Sequence, residues 1–283
     1  MTSIQTLLDD ATNLLVHISE SPRLDAEVLL AFVLNKNRSY LRAWNDKTLD
    51  SKTISKFESL ISQRLNGVPI AYLTEMREFW SRDFHVSSDV LIPRPDTEIL
   101  IEQCLSQIPL DSTFRILDLG TGSGVIAITL AAERPKTNII AVDASLAALE
   151  IAKKNAQKHD CQNIKFILSN WFSNVPKMKF DLIVSNPPYI SMDDEHLTQG
   201  DVRFEPKTAL ISAENGLFDI KKIAEEAKHY LTKNGQLWFE HGYNQAESVQ
   251  EILKTRAYSN IQTFADFAGN NRVTKCTNAS LEI

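Results

Sequence analysis

The sequence contains no apolar run long enough to cross a bilayer, and its first ten residues, Met1 to Asp10, carry neither a basic leader nor an arginine-rich transit character. A cytoplasmic protein is expected, with no membrane partner. Cysteine is scarce: Cys104, Cys161 and Cys276 stand far apart, without the spacing of a metal or redox site, and suit a reducing compartment. No metal is expected. Basic residues are outnumbered, 30 Lys and Arg against 36 Asp and Glu, so a polyanion is not the natural main partner and no direct nucleic-acid binding is expected. Internal repeats and low-complexity tracts are also missing. What remains is a chain of 283 residues, 43% hydrophobic, long enough for a sizeable core and two domains.

Residues 1–76 read as a small helical bundle. Ile4, Leu7, Leu8 and Leu15 recur at helical spacing. Ser21-Pro22 opens a second helix with a cap and a first-turn proline, and Leu24, Val28, Leu29, Phe32 and Val33 should form its buried face. Asp50-Ser51 precedes a third, carrying Ile54, Phe57, Leu60, Ile61 and Leu65 and closed by Gly67. No chemistry is visible in this bundle, so partner docking and plain stabilisation stand level. Residues 77–95 turn aromatic and β-branched, with Phe79-Trp80, Phe84-His-Val86 and Val90-Leu-Ile92 broken by Ser87-Ser88-Asp89. That is the pattern of a β-hairpin linking two domains.

Residues 96–283 begin with a helix for which Asp96 is the expected cap. Strands at 114–119, 138–142, 164–168, 180–185 and 235–239 then alternate with helices at 125–133, 146–158 and 217–230. Apolar strands alternating with helices predict an α/β fold with a mostly parallel sheet covered on both faces. Segments 261–264 and 272–276 predict an antiparallel ending.

Two stretches carry chemistry. Asp118-Leu-Gly-Thr-Gly-Ser-Gly124 lies where the first strand turns into a helix, where glycines let backbone approach a ligand and the helix start offers free N–H groups. Asp143, about twenty residues on and at the end of the next strand, is placed to take both hydroxyls of a ribose. A helix cap is its plainer role. Trp171, after the third strand, falls where an adenine ring would lie. A nicotinamide dinucleotide would also use the glycines and Asp143, but the dinucleotide fingerprint's third glycine position is missing.

The second stretch is Asn186-Pro-Pro-Tyr189, delivered by the apolar strand before it. The Asn186 side-chain oxygen and a proline carbonyl can each accept one N–H of a planar NH2 group, and the Tyr189 ring can lie against its flat face. Proline fixes φ and removes N–H donors, so those carbonyls stand rigid with no competing donor beside them. The pocket prepares an amide or exocyclic amine nitrogen to attack an electrophilic carbon. S-adenosylmethionine explains both stretches, because it joins an adenosine, a carboxylate and a sulfonium methyl.

With these pieces assembled, the chain resembles the release-factor glutamine methyltransferases, the PrmC/HemK family, along nearly its whole length. Arg77-Glu-Phe-Trp-Ser81, Leu91-Ile-Pro-Arg-Pro-Asp-Thr-Glu98, Asp118 to Gly124, Asn186 to Tyr189, Glu214-Asn-Gly-Leu217 and Asn271-Arg-Val-Thr274 are similar to its motifs, in its order. The resemblance implies a class I S-adenosylmethionine-dependent methyltransferase, Rossmann-like with seven strands. Its reaction would be methyl transfer to N5 of the glutamine in the Gly-Gly-Gln motif of peptide-chain release factors, by a monomer. It implies Gly120, Thr121, Gly122, Ser123 and Gly124 around the methionine part and ribose, Asp143 on the ribose, and Trp171 on the adenine. Asn186, Pro187, Pro188 and Tyr189 would hold the glutamine amide. Asn170 departs from an expected aspartate, implying weaker cofactor binding, and Arg94 to Glu98 are expected to brace the pocket. The alternatives are a methyltransferase acting on adenine N6 or guanine N2 of nucleic acid, a cofactor-binding module without activity, and, last, an oxidoreductase.

Overall fold

The computed structural model describes residues 2–278; residue 1 and residues 279–283, the outer ends of the first and last expected domains, lie outside the described residues. The described residues fall into two compact units. The smaller runs to Met76 and takes in Thr198–Phe204; the larger holds Arg77–Leu197 and the chain from Glu205 onward.

In the smaller unit, helices α1 (Ile4–Leu15), α2 (Pro22–Leu34), α3 (Arg38–Ala43), α4 (Ser51–Leu65) and α5 (Ile70–Thr74) surround one core. Ile4, Leu7, Leu8 and Leu15 are buried, as their spacing predicts. Asp50 caps α4 by accepting the Thr53 N–H at 2.9 Å. Past α4, Gly67 takes φ +89, and the Arg203 guanidinium and Phe204 ring fill the space a Cβ would need. Helix α2 corrects the expected face. Leu24 and Phe32 are exposed and Val28 and Val33 half-buried, whereas Asp25, Ala26, Glu27, Leu29, Leu30 and Ala31 turn inward. The reason is ionic: Arg64 Nε reaches Asp25 at 2.9 Å and Arg38 reaches Glu27 at 2.7 Å, so the carboxylates enter the bundle paired. Ser21 makes no side-chain cap bond.

The larger unit begins at Arg77, within β1 (Met76–Phe79), which is joined to β2 (Arg82–His85) through Trp80 and Ser81 at φ 52° and 55°. This hairpin is tighter than the sequence suggests. Residues 90–92 are not a strand, although Val90 and Ile92 are buried. With prolines at 93 and 95 unable to donate to a ladder, the Ile92 N–H goes instead to the Glu205 carboxylate at 3.0 Å. Asp96 likewise makes no cap bond to α6 (Thr97–Gln107), because its carboxylate pairs with Arg272 at 3.2 Å.

Then follow β3 (Arg115–Leu119), α7 (Val125–Glu133), β4 (Asn138–Asp143), α8 (Leu146–Lys158), β5 (Ile164–Leu168), β6 (Phe180–Ser185), α9 (Lys207–Leu210), the distorted turn α10 (Ala213–Gly216), α11 (Phe218–Ala227), β7 (Leu231–Glu240), α12 (Ala246–Thr255), β8 (Tyr258–Ala265) and β9 (Asn271–Asn278). Helix α12 has no counterpart among the elements expected from the sequence. The seven strands run in the order β5-β4-β3-β6-β7-β9-β8, with β9 antiparallel to β7 and β8 and the rest parallel. This is the expected Rossmann-like sheet. Its faces bury separate cores, one with Leu100, Ile126 and Ile128, the other with Ile220, Ile223, Val249 and Leu253. Strand order reverses about β3, and Leu119 pairs with Val142 on one side and Ser185 on the other. The glycine turn, Asp143 and Asn186 therefore all leave the carboxyl edge at its switch point. Among the described residues, no helix is long and apolar enough to cross a membrane.

Candidate active site

A cavity of about 430 Å³ opens at that switch point, lined by residues from after β3, β4, β5 and β6. Gly120, Gly122 and Gly124 take φ +74, +55 and +86. The Gly120 and Thr121 N–H groups bond the Val142 carbonyl at 2.9 Å each, which pins the turn to β4. A Cβ at Gly122 would meet nothing within 4 Å, so backbone lies open to the cavity there. Gly124 does other work: its missing Cβ lets α7 approach Ala152 of α8, 3.1 Å from where that Cβ would be, and it does not line the cavity. Thr121 and Ser123 do line it, although both are buried.

Asp143 Oδ2 accepts the Gly122 N–H and Oδ1 the Ser145 N–H, each at 2.9 Å. Each oxygen keeps a lone pair for a hydroxyl donor in the cavity. Capping of α8 falls to Ser145, whose Oγ accepts the Ala148 N–H. Burial pushes the Asp143 carboxyl up while these backbone donors pull it down. Asp118, beneath the turn, is fully buried, and burial pushes it up to about 7 against the Thr121 hydroxyl at 2.6 Å.

Trp171 sits at φ +50, its ring 3.4 Å from where a Gly120 Cβ would be. Its Nε1 donates to Asp219 Oδ1 at 3.1 Å, and Asp219 Oδ2 accepts the Ser212 hydroxyl at 2.7 Å. A flat ring held over an open glycine backbone, beside a carboxylate with free lone pairs, fits an adenosine. Asn170 also lines this end.

At the other end, Asn186 and Pro188 line the cavity, Pro187 is buried behind them, and Tyr189 is half-buried and outside the lining. Asn186 Nδ2 donates to Thr97 Oγ1 at 3.4 Å. The Tyr189 hydroxyl donates to Glu240 Oε1 at 3.3 Å, and its carbonyl accepts Gln245 Nε2 at 2.9 Å. Glu240 is fully buried; burial raises it to about 7, opposed by the Thr97 hydroxyl and the Arg272 charge. Burial also raises the Tyr189 phenol, as does the Glu240 charge. Of the run Arg94 to Glu98, Arg94 and Thr97 reach the cavity, Arg94 pairing with Glu205. Asp96 turns to Arg272, and Glu98 accepts the Trp80 N–H at 3.0 Å.

Sequence reasoning missed Asp219, Glu240 and Gln245. Asp219 reads locally as an acid in the first turn of α11, where the helix dipole alone would explain it. Glu240 offered a signal: it is the charged end of the apolar run Leu237-Trp-Phe239, on the strand beside the one leading to Asn186.

Residues 6–74 match the PrmC N-terminal domain model and residues 95–202 the methyltransferase small domain model. The release factor glutamine methyltransferase of Salmonella typhimurium is 46% identical over 270 residues, 95% of this chain and 97% of its own. That of Vibrio cholerae is 49% identical, over 90% of each chain, and that of Escherichia coli 46%, over 90% and 92%. Among solved structures, a methyltransferase from Pyrococcus furiosus superposes with TM-score 0.54 at 16% identity, over 77% of this chain and 98% of its own, a likeness of fold. Its class I methyltransferase sheet and its near-full-length identity to these relatives lead to one conclusion: the chain belongs to the release factor glutamine methyltransferase family.

Proposed function

We propose that this protein transfers a methyl group from S-adenosylmethionine to N5 of the glutamine in the Gly-Gly-Gln motif of peptide-chain release factors, in the cytoplasm and as a monomer. The observation that carries this reading is the meeting of the glycine turn, Asp143, Trp171 and Asn186 in one cavity. Family membership supplies the substrate. In this reading residues 1–76 form a helical domain, open to either release-factor docking or plain stabilisation, residues 77–95 the linker and residues 96–283 the catalytic domain.

S-adenosylmethionine supplies an electrophilic methyl on a sulfonium. Gly120 to Ser123 offer backbone and hydroxyl groups to its methionine part and ribose, with Gly124 shaping the turn; Asp143 accepts from the ribose hydroxyls, and Trp171 covers the adenine. Asn186 Oδ1 and the Pro187 carbonyl accept the two N–H groups of the substrate amide, Pro188 lines the cavity beside them, and Tyr189 anchors the turn through Glu240 and Gln245. Held from two sides, the amide nitrogen would present its lone pair to the part of the cavity shared with the glycine turn. These acceptor dipoles are fixed before reaction and strengthen their hold as positive charge reaches nitrogen, which lowers the barrier. The Pro187 oxygen, already bonded to one N–H, is where the departing proton is held before water takes it. A glutamate side chain in this site would face two acceptors without a donor, so it is rejected.

The test incubates the protein with S-adenosylmethionine and unmodified release factor, then maps the product by mass spectrometry. One methyl on the Gly-Gly-Gln peptide is expected, and none on a Gly-Gly-Glu variant; transfer to nucleic acid alone would contradict the proposal. A second expectation concerns the adenine end. Asp219→Ala leaves the Trp171 indole N–H without its acceptor, so calorimetry should show S-adenosylhomocysteine binding weakened by about fivefold, ~1 kcal/mol. Unchanged affinity would remove Asp219 from the account.

A further inference from the structure

We propose that Thr97 is a positioning residue that sets which end of the Asn186 side-chain amide faces the substrate, accepting the Asn186 NH2 while directing its own proton to Glu240. This rests on the reading of Asn186 as the acceptor for the substrate amide. An asparagine side chain can present either its oxygen or its NH2 to a cavity, and only the oxygen can accept a substrate N–H. Something must choose between them.

The structure supplies a buried polar chain that does. Asn186 Nδ2 lies 3.4 Å from Thr97 Oγ1. Thr97 is 2% exposed and opens α6, and its hydroxyl acts on Glu240, which ends β7 and is 0% exposed. Glu240 Oε1 already accepts from the Tyr189 hydroxyl, whereas Oε2 has no hydrogen-bond partner. An ionised carboxylate can only accept, and the Thr97 hydroxyl has one proton to give. With that proton facing Glu240, Thr97 turns a lone pair to Asn186, and only an N–H can meet it. While Glu240 is ionised, the direction follows from the carboxylate and not from how the asparagine amide is drawn. Asn186 Oδ1 is left facing the cavity. Burial pushes Glu240 up to about 7, and the Thr97 hydroxyl and Arg272, which also pairs with Asp96 and Asp266, pull it back, so this polarity is held above that pH and weakens below it. One buried acid thus orders both ends of the Asn-Pro-Pro-Tyr turn, Asn186 through Thr97 and Tyr189 directly.

Thr97→Val keeps the side-chain shape and removes the hydroxyl. Expected is a fall of about 10- to 100-fold in kcat for release-factor methylation, the size seen when a residue that orients a reacting side chain is lost. KM for the release factor and calorimetric affinity for S-adenosylhomocysteine should change much less than kcat, since the lost hydroxyl acts on the reaction through the orientation of Asn186. Thr97→Ser, which restores the hydroxyl, should recover most of the rate. In single turnovers, Asn186→Ala with Thr97→Val should be no slower than Asn186→Ala alone, because Thr97 acts only through Asn186. The proposal is overturned if Thr97→Val keeps the wild-type kcat, if Thr97→Ser is as slow as Thr97→Val, or if the two losses multiply. It is overturned equally if cofactor affinity falls as far as the rate. Wild-type protein run beside these variants separates the two levels: no methyl transfer from it would sink the proposed function, whereas normal wild-type transfer with an unaffected Thr97→Val sinks the relay alone.

Discussion

Asn186→Ala is expected to lower methyl transfer to the release-factor glutamine by about 100- to 1000-fold, comparable to removing a preorganised group that meets developing charge. Its side chain reaches the cavity from the end of β6, beside the central strand β3, and the Ser185 hydroxyl ties the two by donating to the Leu119 carbonyl at 2.7 Å. Alanine removes the acceptor and leaves that tie intact. The glycine turn and Asp143 stand on β3 and β4, so S-adenosylhomocysteine should still bind, and calorimetry beside a single-turnover assay separates the two effects. A near-normal transfer rate in the variant would remove Asn186 from the reaction.

Gly216→Ala is expected to be nearly as damaging, by a different route. Gly216 ends the distorted turn α10, in which Glu214 and Asn215 also take left-handed φ of 54° and 56°. Its own φ is +82, and a Cβ there would lie 2.0 Å from the Tyr189 carbonyl oxygen and 2.6 Å from Gln245 Nε2. Gln245 is committed on every side: it donates to the Tyr189 and Asn215 carbonyls at 2.9 and 3.1 Å and accepts the Gly242 N–H at 2.8 Å. A backbone oxygen cannot swing aside as a long side chain can, so either the Asn-Pro-Pro-Tyr turn shifts or this network breaks. Strain and lost hydrogen bonds together should cost about 3 kcal/mol or more. Thermal unfolding should show a lower midpoint, and transfer should fall by about 100-fold or more. Gly269→Ala is the control: its φ of +85 carries similar strain, but a Cβ there meets nothing within 4 Å. Equal losses in the two variants would show that the crowding at Tyr189 is irrelevant.

The α/β framework was legible because each of its parts has a local cause. Continuous apolar runs such as Phe180–Ser185 announce strands buried on both faces, and helices such as Leu146–Lys158 appear where their periodicity begins and ends. The cavity's two ends were legible for the same reason, since glycine clusters and paired prolines restrict the backbone whatever surrounds them. What escaped depends on partners distant in sequence. Helix α2 buries Asp25 and Glu27 instead of Leu24 and Phe32, because Arg64 and Arg38 arrive from elsewhere in the bundle to neutralise them. Asp96 looks like a helix cap until Arg272, far along the chain, claims its carboxylate. Gly124 reads as one more ligand-binding glycine, and only the neighbouring helix explains it. Asp219 and Glu240, which hold Trp171 and Tyr189, likewise act only across the fold.

The most direct test of the central claim is a crystal structure of the protein with S-adenosylhomocysteine and a Gly-Gly-Gln peptide. The account predicts the glutamine amide nitrogen within hydrogen-bond distance of Asn186 Oδ1, with Asn186 Nδ2 on Thr97 and the cofactor sulfur facing that nitrogen. A glutamine side chain bound away from Asn186, or met there by its NH2 group, would contradict it.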